Sequence, residues 1–65
     1  MSKELFEIMV SDYLNENGFD DIITDGDACF NTDFSGYVQY CHDSKADYAL
    51  IDQNGDIEMR YIGAR

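Results

Sequence analysis

The apolar pattern of this chain changes period once, at Asn17-Gly18, and that change limits the fold to one helix followed by sheet. Before it, Phe6, Met9, Val10, Tyr13 and Leu14 recur at spacings of three and four, with Leu5 at the margin of the stripe. Such spacing places them on one face of a helix over residues 3–17. Glu4, Glu7, Ser11 and Asn15 fall on the opposite face, flanked by Asp12, with Ile8 set among them. Ser2 stands where an N-cap is needed, and Glu4 complements the positive end of the helix. Gly18 supplies the left-handed residue that ends it, and Phe19 can fold back on the last turn.

After Gly18 the period is two. Ile22-Ile23-Thr24, Ala28 to Thr32, Tyr37 to His42, Ala46 to Gln53 and Asp56 to Ile62 read as strands, separated by turn residues. Residues 27–36 also fit a long irregular loop. Asn54-Gly55 is the preferred pair for a two-residue type I′ hairpin. It sets Asp52 opposite Ile57, Leu50 opposite Met59 and Tyr48 opposite Tyr61. A three-residue Asp43-Ser44-Lys45 loop then sets Val38 beside Leu50 and Tyr40 beside Tyr48. A turn centred on Ser35 sets Phe30 opposite Tyr40 and Thr32 opposite Val38. The three turns agree on one apolar face, as a sheet covered on one side requires. The expected architecture is α+β, an N-terminal amphipathic helix packed on one face of a four- or five-stranded antiparallel β-meander, with residues 1–65 as one domain.

One helix cannot cover both faces. On this register the open face carries Tyr37, Gln39, Cys41, Ala49, Ile51, Glu58, Arg60 and Ile62. It reads either as a solvated face with scattered apolar residues, or as a dimer face centred on Tyr37, Ile51 and Ile62.

A 65-residue chain buries only about 60% of its unfolded surface and is marginal as an autonomous fold. Fourteen carboxylates against four basic residues give a net charge of −10, which opposes compaction further. Disordered acidic chains are poor in aromatic and β-branched residues. This one is 45% hydrophobic and 14% aromatic, so it is expected to fold. Met1 reads as a start residue with no secretory signal behind it, and no apolar run reaches the ~20 residues of a membrane span. The expectation is a cytoplasmic protein with reduced thiols.

The residue patterns argue against most site chemistry. Asp52, Asn54, Asp56 and Glu58 alternate around Gly55, but a calcium loop needs glycine at its sixth position, where Ile57 stands. In the Asp20, Asp21, Asp25, Asp27 group, counting Asp21 as the first position makes Ile23 the third, and it offers no side-chain oxygen. Cys29, Cys41 and His42 are too few for a tetrahedral zinc site. Cys41 and His42 are adjacent on a strand, so they point to opposite faces and form no nucleophile–base pair. The register sets Cys29 across from Cys41; two free buried thiols are expected, with a bridge open to them under oxidation. Gly26, Gly36 and Gly55 are isolated turn glycines, not a phosphate loop. No enzyme activity, metal or cofactor is expected. Direct nucleic-acid binding is disfavoured, because affinity for phosphate comes from basic residues.

The charge points instead to a basic protein partner. Alternate strand positions lie about 6.6 Å apart, comparable with successive phosphates of a nucleic-acid strand. A folded acidic body can therefore compete for a groove that holds DNA or RNA. In size and charge alone the chain is similar to DNA-mimic anti-defence proteins of phage and mobile elements, or to acidic antitoxin and immunity proteins. No motif carries the likeness, and it assigns no family. The expected function is a small acidic inhibitor of a basic nucleic-acid-handling protein. Glu4, Glu7, Asp12, Asp20, Asp21, Asp25 and Asp27 are the expected contact residues. The alternative is a non-enzymatic homodimeric assembly subunit that uses the open sheet face.

Overall fold

A computed structural model describes residues 2–65; Met1, read above as a start residue, lies outside the described residues. Helix α1 spans Lys3–Glu16 and α2 spans Asp20–Thr24. Four strands follow: β1 (Cys29–Asp33), β2 (Val38–His42), β3 (Ala46–Gln53) and β4 (Asp56–Ala64). They form one antiparallel sheet in the order β1-β2-β3-β4, the expected α+β meander.

The ends of α1 follow the sequence signals. Ser2 Oγ accepts the Leu5 N–H at 3.1 Å. At the other end the Gly18 N–H donates to Asn15 O at 3.4 Å and the Phe19 N–H to Leu14 O at 3.1 Å. Gly18 sits at φ +73°, the left-handed residue of a Schellman cap. The Phe19 ring then stacks on Tyr13, with centroids 6.5 Å apart. Phe6, Val10 and Leu14 are the buried stripe of α1, as the periodicity requires.

The chain does not turn to strand at Ile22. Residues 20–24 form α2 instead of the expected strand over Ile22-Ile23-Thr24. A run of three apolar or β-branched residues fits one helical turn as well as a strand. Asp20 and Asp21 lie in the first turn, where the backbone N–H groups are unsatisfied and negative charge is favoured. The Thr24 hydroxyl donates back to Asp20 O at 2.9 Å. Only Ile22 enters the core; Ile23 is exposed.

The β3–β4 hairpin has the expected register: Asp52 pairs with Ile57, Leu50 with Met59 and Tyr48 with Tyr61. Asn54 (φ +56°) and Gly55 (φ +87°) are both left-handed, as a type I′ turn demands. The β2–β3 register differs from expectation by one residue. Val38 pairs with Ile51, Gln39 with Leu50, Tyr40 with Ala49 and Cys41 with Tyr48. The cause is Asp43. Its own N–H donates to Ala46 O at 3.1 Å, which leaves Ser44-Lys45 as a two-residue loop. Its Oδ1 accepts from the Lys45 and Ala46 N–H groups at 2.8 and 2.9 Å.

A one-residue slip exchanges the faces of a strand. Tyr37, Gln39 and Cys41 therefore lie toward the helices, and Val38, Tyr40 and His42 lie on the open face. Tyr37 packs edge-on against Phe6 with centroids 5.5 Å apart, so it is no part of an open-face dimer surface. Ile51 keeps its expected face. Ile62 is the unpaired extra residue where the β3–β4 register shifts between Asp47 and Tyr48, and it is exposed.

On β1, Cys29 pairs with Cys41 as expected, but Asn31, not Phe30, pairs with Tyr40, and Asp33, not Thr32, pairs with Val38. The register shifts between Cys29 and Asn31, so Phe30 is a bulge residue. Its ring, 46% exposed, lies over Tyr40 (6.2 Å) and His42 (5.8 Å) instead of joining the core. The core is Phe6, Val10, Leu14, Ile22, Ala28, Cys41 and Leu50, with Tyr48, Ile57 and Met59 among the residues packed on it.

Candidate functional site

The seven acids read as contact residues are all exposed, and they divide into two groups. Glu4, Glu7 and Asp12 share the outward face of α1. With Ile8 and Ser11 they line a shallow depression of about 400 Å³. The helical spacing that buries Phe6, Val10 and Leu14 forces these carboxylates outward. Asp12 also borders a second depression with Glu16 of α1 and Asp56 and Ile57 of β4, so the acidic surface continues to the last hairpin.

The other group lies at α2 and its neighbouring turns. Asp21 and Asp25 line a groove of about 350 Å³ with Thr24, Asp43, Ser44, His42 and Arg65. Asp20 and Asp21 meet Asp43 again in a smaller depression beside Gly18 and Phe19. The Ser44 hydroxyl donates to Asp21 Oδ2 at 3.4 Å, which ties α2 to the β2–β3 turn. Asp27 lies in the α2–β1 loop, where its N–H donates to Asp25 Oδ1 at 2.9 Å.

Asp43, expected only as a residue of the β2–β3 turn, joins this group. Its Asp-Ser-Lys setting is the signal that it would accept backbone N–H groups. Those donors, from Lys45 and Ala46, hold its carboxyl below the ordinary value near 3.8, helped by the Tyr48 hydroxyl at 3.2 Å and the Lys45 charge. Asp33 is lowered likewise, first by the Ser35 hydroxyl and then by the Gly36 and Ser35 N–H groups. Both carboxylates therefore keep their charge further into acid than an ordinary aspartate.

That lowering sets a pH dependence. A carboxyl with a folded-state value below its unfolded one stabilises the fold above about pH 4 and loses that contribution as pH falls through the folded value. Asp43→Ala is expected to lower Tm at pH 7 and to shrink the difference in Tm between pH 7 and pH 3. Thermal melts at the two pH values check this; an unchanged difference means the Asp43 turn contributes nothing.

Arg60, Arg65 and Lys3 each meet a partner outside the seven acids. Arg60 pairs with Glu58 at 3.1 Å, and Arg65 Nε lies 3.3 Å from Asp47 Oδ1. Arg65 Nη1 also meets His42 Nδ1 at 2.8 Å. A guanidinium only donates, so that histidine nitrogen accepts. Lys3 Nζ stands 4.7 Å from the Phe34 ring centroid. Arg65 and His42 close one side of the α2 groove, so the groove is acidic on the α2 side and mixed on the other. Among the described residues, no three His, Cys, Asp or Glu side chains are grouped to hold a metal ion. Among them, too, no helix is long and apolar enough to cross a membrane.

Cys29 and Cys41 are free thiols with sulfur atoms 2.9 Å apart; Cys41 is fully buried and Cys29 is exposed. Burial, and then the contact with Cys29, pushes the Cys41 thiol far above its ordinary value, so it is protonated and a slow nucleophile at neutral pH. Comparisons with protein-family models, curated proteins and solved structures find no match for this chain.

Proposed function

We propose that this protein is a small acidic antagonist that occupies the nucleic-acid groove of a basic, nucleic-acid-handling protein. The observation that carries the reading is the exposure of Glu4, Glu7 and Asp12 on one helix face and of Asp20, Asp21, Asp25 and Asp27 at α2, on a body with a net charge of −10. Among the described residues, the ion pairs are Glu58–Arg60 and Asp47–Arg65, so these seven acids spend no charge on internal pairing. Carboxylates held on a folded element lose little freedom on binding, and a field of one sign speeds association. The role is binding, not catalysis. The setting is the cytoplasm, and the kind of protein is a phage or mobile-element anti-defence protein or an antitoxin.

The test is affinity capture from host lysate at low and high salt, followed by competition with duplex DNA on the captured protein. The expected result is a basic protein that DNA displaces and that high salt releases. Combined Glu7→Lys, Asp12→Lys and Asp21→Lys substitution is expected to weaken that binding by about 10²-fold or more, because each reversal sets like charges together. Binding that ignores both salt and the triple substitution refutes the proposal.

A further inference from the structure

We propose that β4 is the pairing edge of a symmetric dimer, in which two copies of this chain join their β4 strands antiparallel about a two-fold axis at Met59. This concerns the sheet edge, which meets the acidic surface at Asp56 and Ile57, and it does not depend on the partner reading above.

β4 borders the sheet, and at nine residues it is the longest strand. Its free hydrogen-bonding positions follow from alternation. The Asp52 N–H donates to Tyr37 O at 3.1 Å, so the even residues of β3 bond toward β2 and the odd ones toward β4. Ile51 and Ala49 pair with Glu58 and Arg60, which therefore bond inward. The amides and carbonyls of Ile57, Met59 and Tyr61 point outward, a row with no partner strand among the described residues, which templates another strand.

Charge selects the occupant and the register. An antiparallel edge pair keeps the faces of both sheets aligned, so odd residues must meet odd and even meet even. Centred on Met59, each Glu58 stands opposite the other copy's Arg60, twice over. Ile57 meets Tyr61, and Met59 meets its own copy. The Glu–Arg pairs occupy the non-hydrogen-bonded positions, where opposed side chains come closest. The internal Glu58–Arg60 pair, at 3.1 Å, becomes half of a four-charge cluster of alternating sign. Moving the axis to Glu58 or Arg60 opposes like charges directly, and moving it to Ile57 opposes Asp56 to Glu58. Moving it to Tyr61 loses the Glu–Arg pairs and straddles the irregularity at Ile62. Tyr61, 65% exposed in the single chain, gains Ile57 of the second copy as cover. A strand self-complementary in charge, face and hydrogen bonding at one register fits a second copy of itself.

Sedimentation equilibrium of the full chain from about 10 µM to about 1 mM tests this. The mass is expected to rise from 7.4 kDa toward twice that value. Glu58→Arg and Arg60→Glu are each expected to weaken association at least about tenfold, because each sets like charges opposite one another at both positions. An equimolar mixture of the two restores opposite charges and is expected to return association to within about threefold of the parent. Circular dichroism confirms that each variant is folded; Glu58→Gln and Arg60→Gln serve if a reversal unfolds the chain. Hydrogen exchange at the amides of Ile57, Met59 and Tyr61 is expected to slow as concentration rises. A chain that stays at 7.4 kDa overturns the proposal, whether the edge then stays bare or takes a strand from another protein. So does a mixture of folded variants that fails to associate. A dimer lost on Ile51→Asp, with no protection at the edge amides, places the contact on the open sheet face and overturns it as well.

Discussion

Phe6→Ala is expected to remove between a third and all of the stability of the fold. Phe6 is 0% exposed and holds the centre of the core. Its ring meets Phe34 at 6.4 Å and Tyr37 at 5.5 Å, both edge-on. Truncating a buried phenylalanine costs about 3–5 kcal/mol, because the transfer term is lost and a cavity remains. A domain of this length has a total stability of roughly 3–10 kcal/mol. The substitution removes a third to all of it, and Tm should fall by about 12 °C or more. Ile8→Ala is the control. Ile8 is 57% exposed on the outer face of α1, and its loss should stay within about 0.5 kcal/mol. Melts followed by circular dichroism compare the two. Equal effects would mean that α1 is not seated on the sheet through Phe6.

The opposite change, a large gain, is expected from oxidation. Cys29 and Cys41 are register partners on neighbouring strands, with sulfur atoms 2.9 Å apart. Cys29 is the accessible thiol, so its thiolate attacks a small disulfide such as oxidised glutathione and releases one glutathione thiol. Cys41, once deprotonated, then attacks the Cys29 sulfur of that mixed disulfide and releases the second. The reaction is slow at neutral pH and quickens as pH rises, because burial keeps the Cys41 thiol protonated. Closing a loop of this size stabilises by about 3 kcal/mol in the chain-entropy picture. Tm should rise by about 10 °C or more. Mass spectrometry should show the loss of two hydrogens, and reductant should reverse both changes. Cys29→Ser abolishes the gain. If the oxidised monomer melts with the reduced one, β1 and β2 are already as firmly joined as a covalent link can make them.

The legibility of the fold varied with how local its determinants are. The β3–β4 register was readable as far as Tyr48–Tyr61 because Asn54-Gly55 admits one turn type, and that turn fixes the pairs up to the irregularity at Ile62. The end of α1 was readable for the same reason at Gly18. The β2 register was not, because loop length there depends on where the Asp43 carboxylate finds its donors. Two- and three-residue loops place opposite faces of β2 inward, and Tyr37-Val38-Gln39-Tyr40 carries bulk on both. That ambiguity moved Tyr37 from the expected dimer face into the core and moved Tyr40 out of it. The Phe30 bulge was hidden likewise, since a bulge keeps composition and changes only register. Helix α2 was read as strand because one turn has no period to detect. At the site, the exposure of Glu4, Glu7 and Asp12 followed from helical spacing alone. The meeting of Asp21 with Asp43 did not, because it depends on the docking of α2 beside a turn some twenty residues away in sequence.

The bulge at Phe30 bears on how the protein is expected to behave when crowded. A sheet with two straight borders can grow without limit, each unit seeding the next into a fibre. Here the first border is bent, and Phe30 is turned out of the ladder to lie over Tyr40 and His42. A bent border makes a poor seed. With β4 paired as proposed, this border is expected to disfavour further strand addition, so that association ends at a closed pair instead of a fibre.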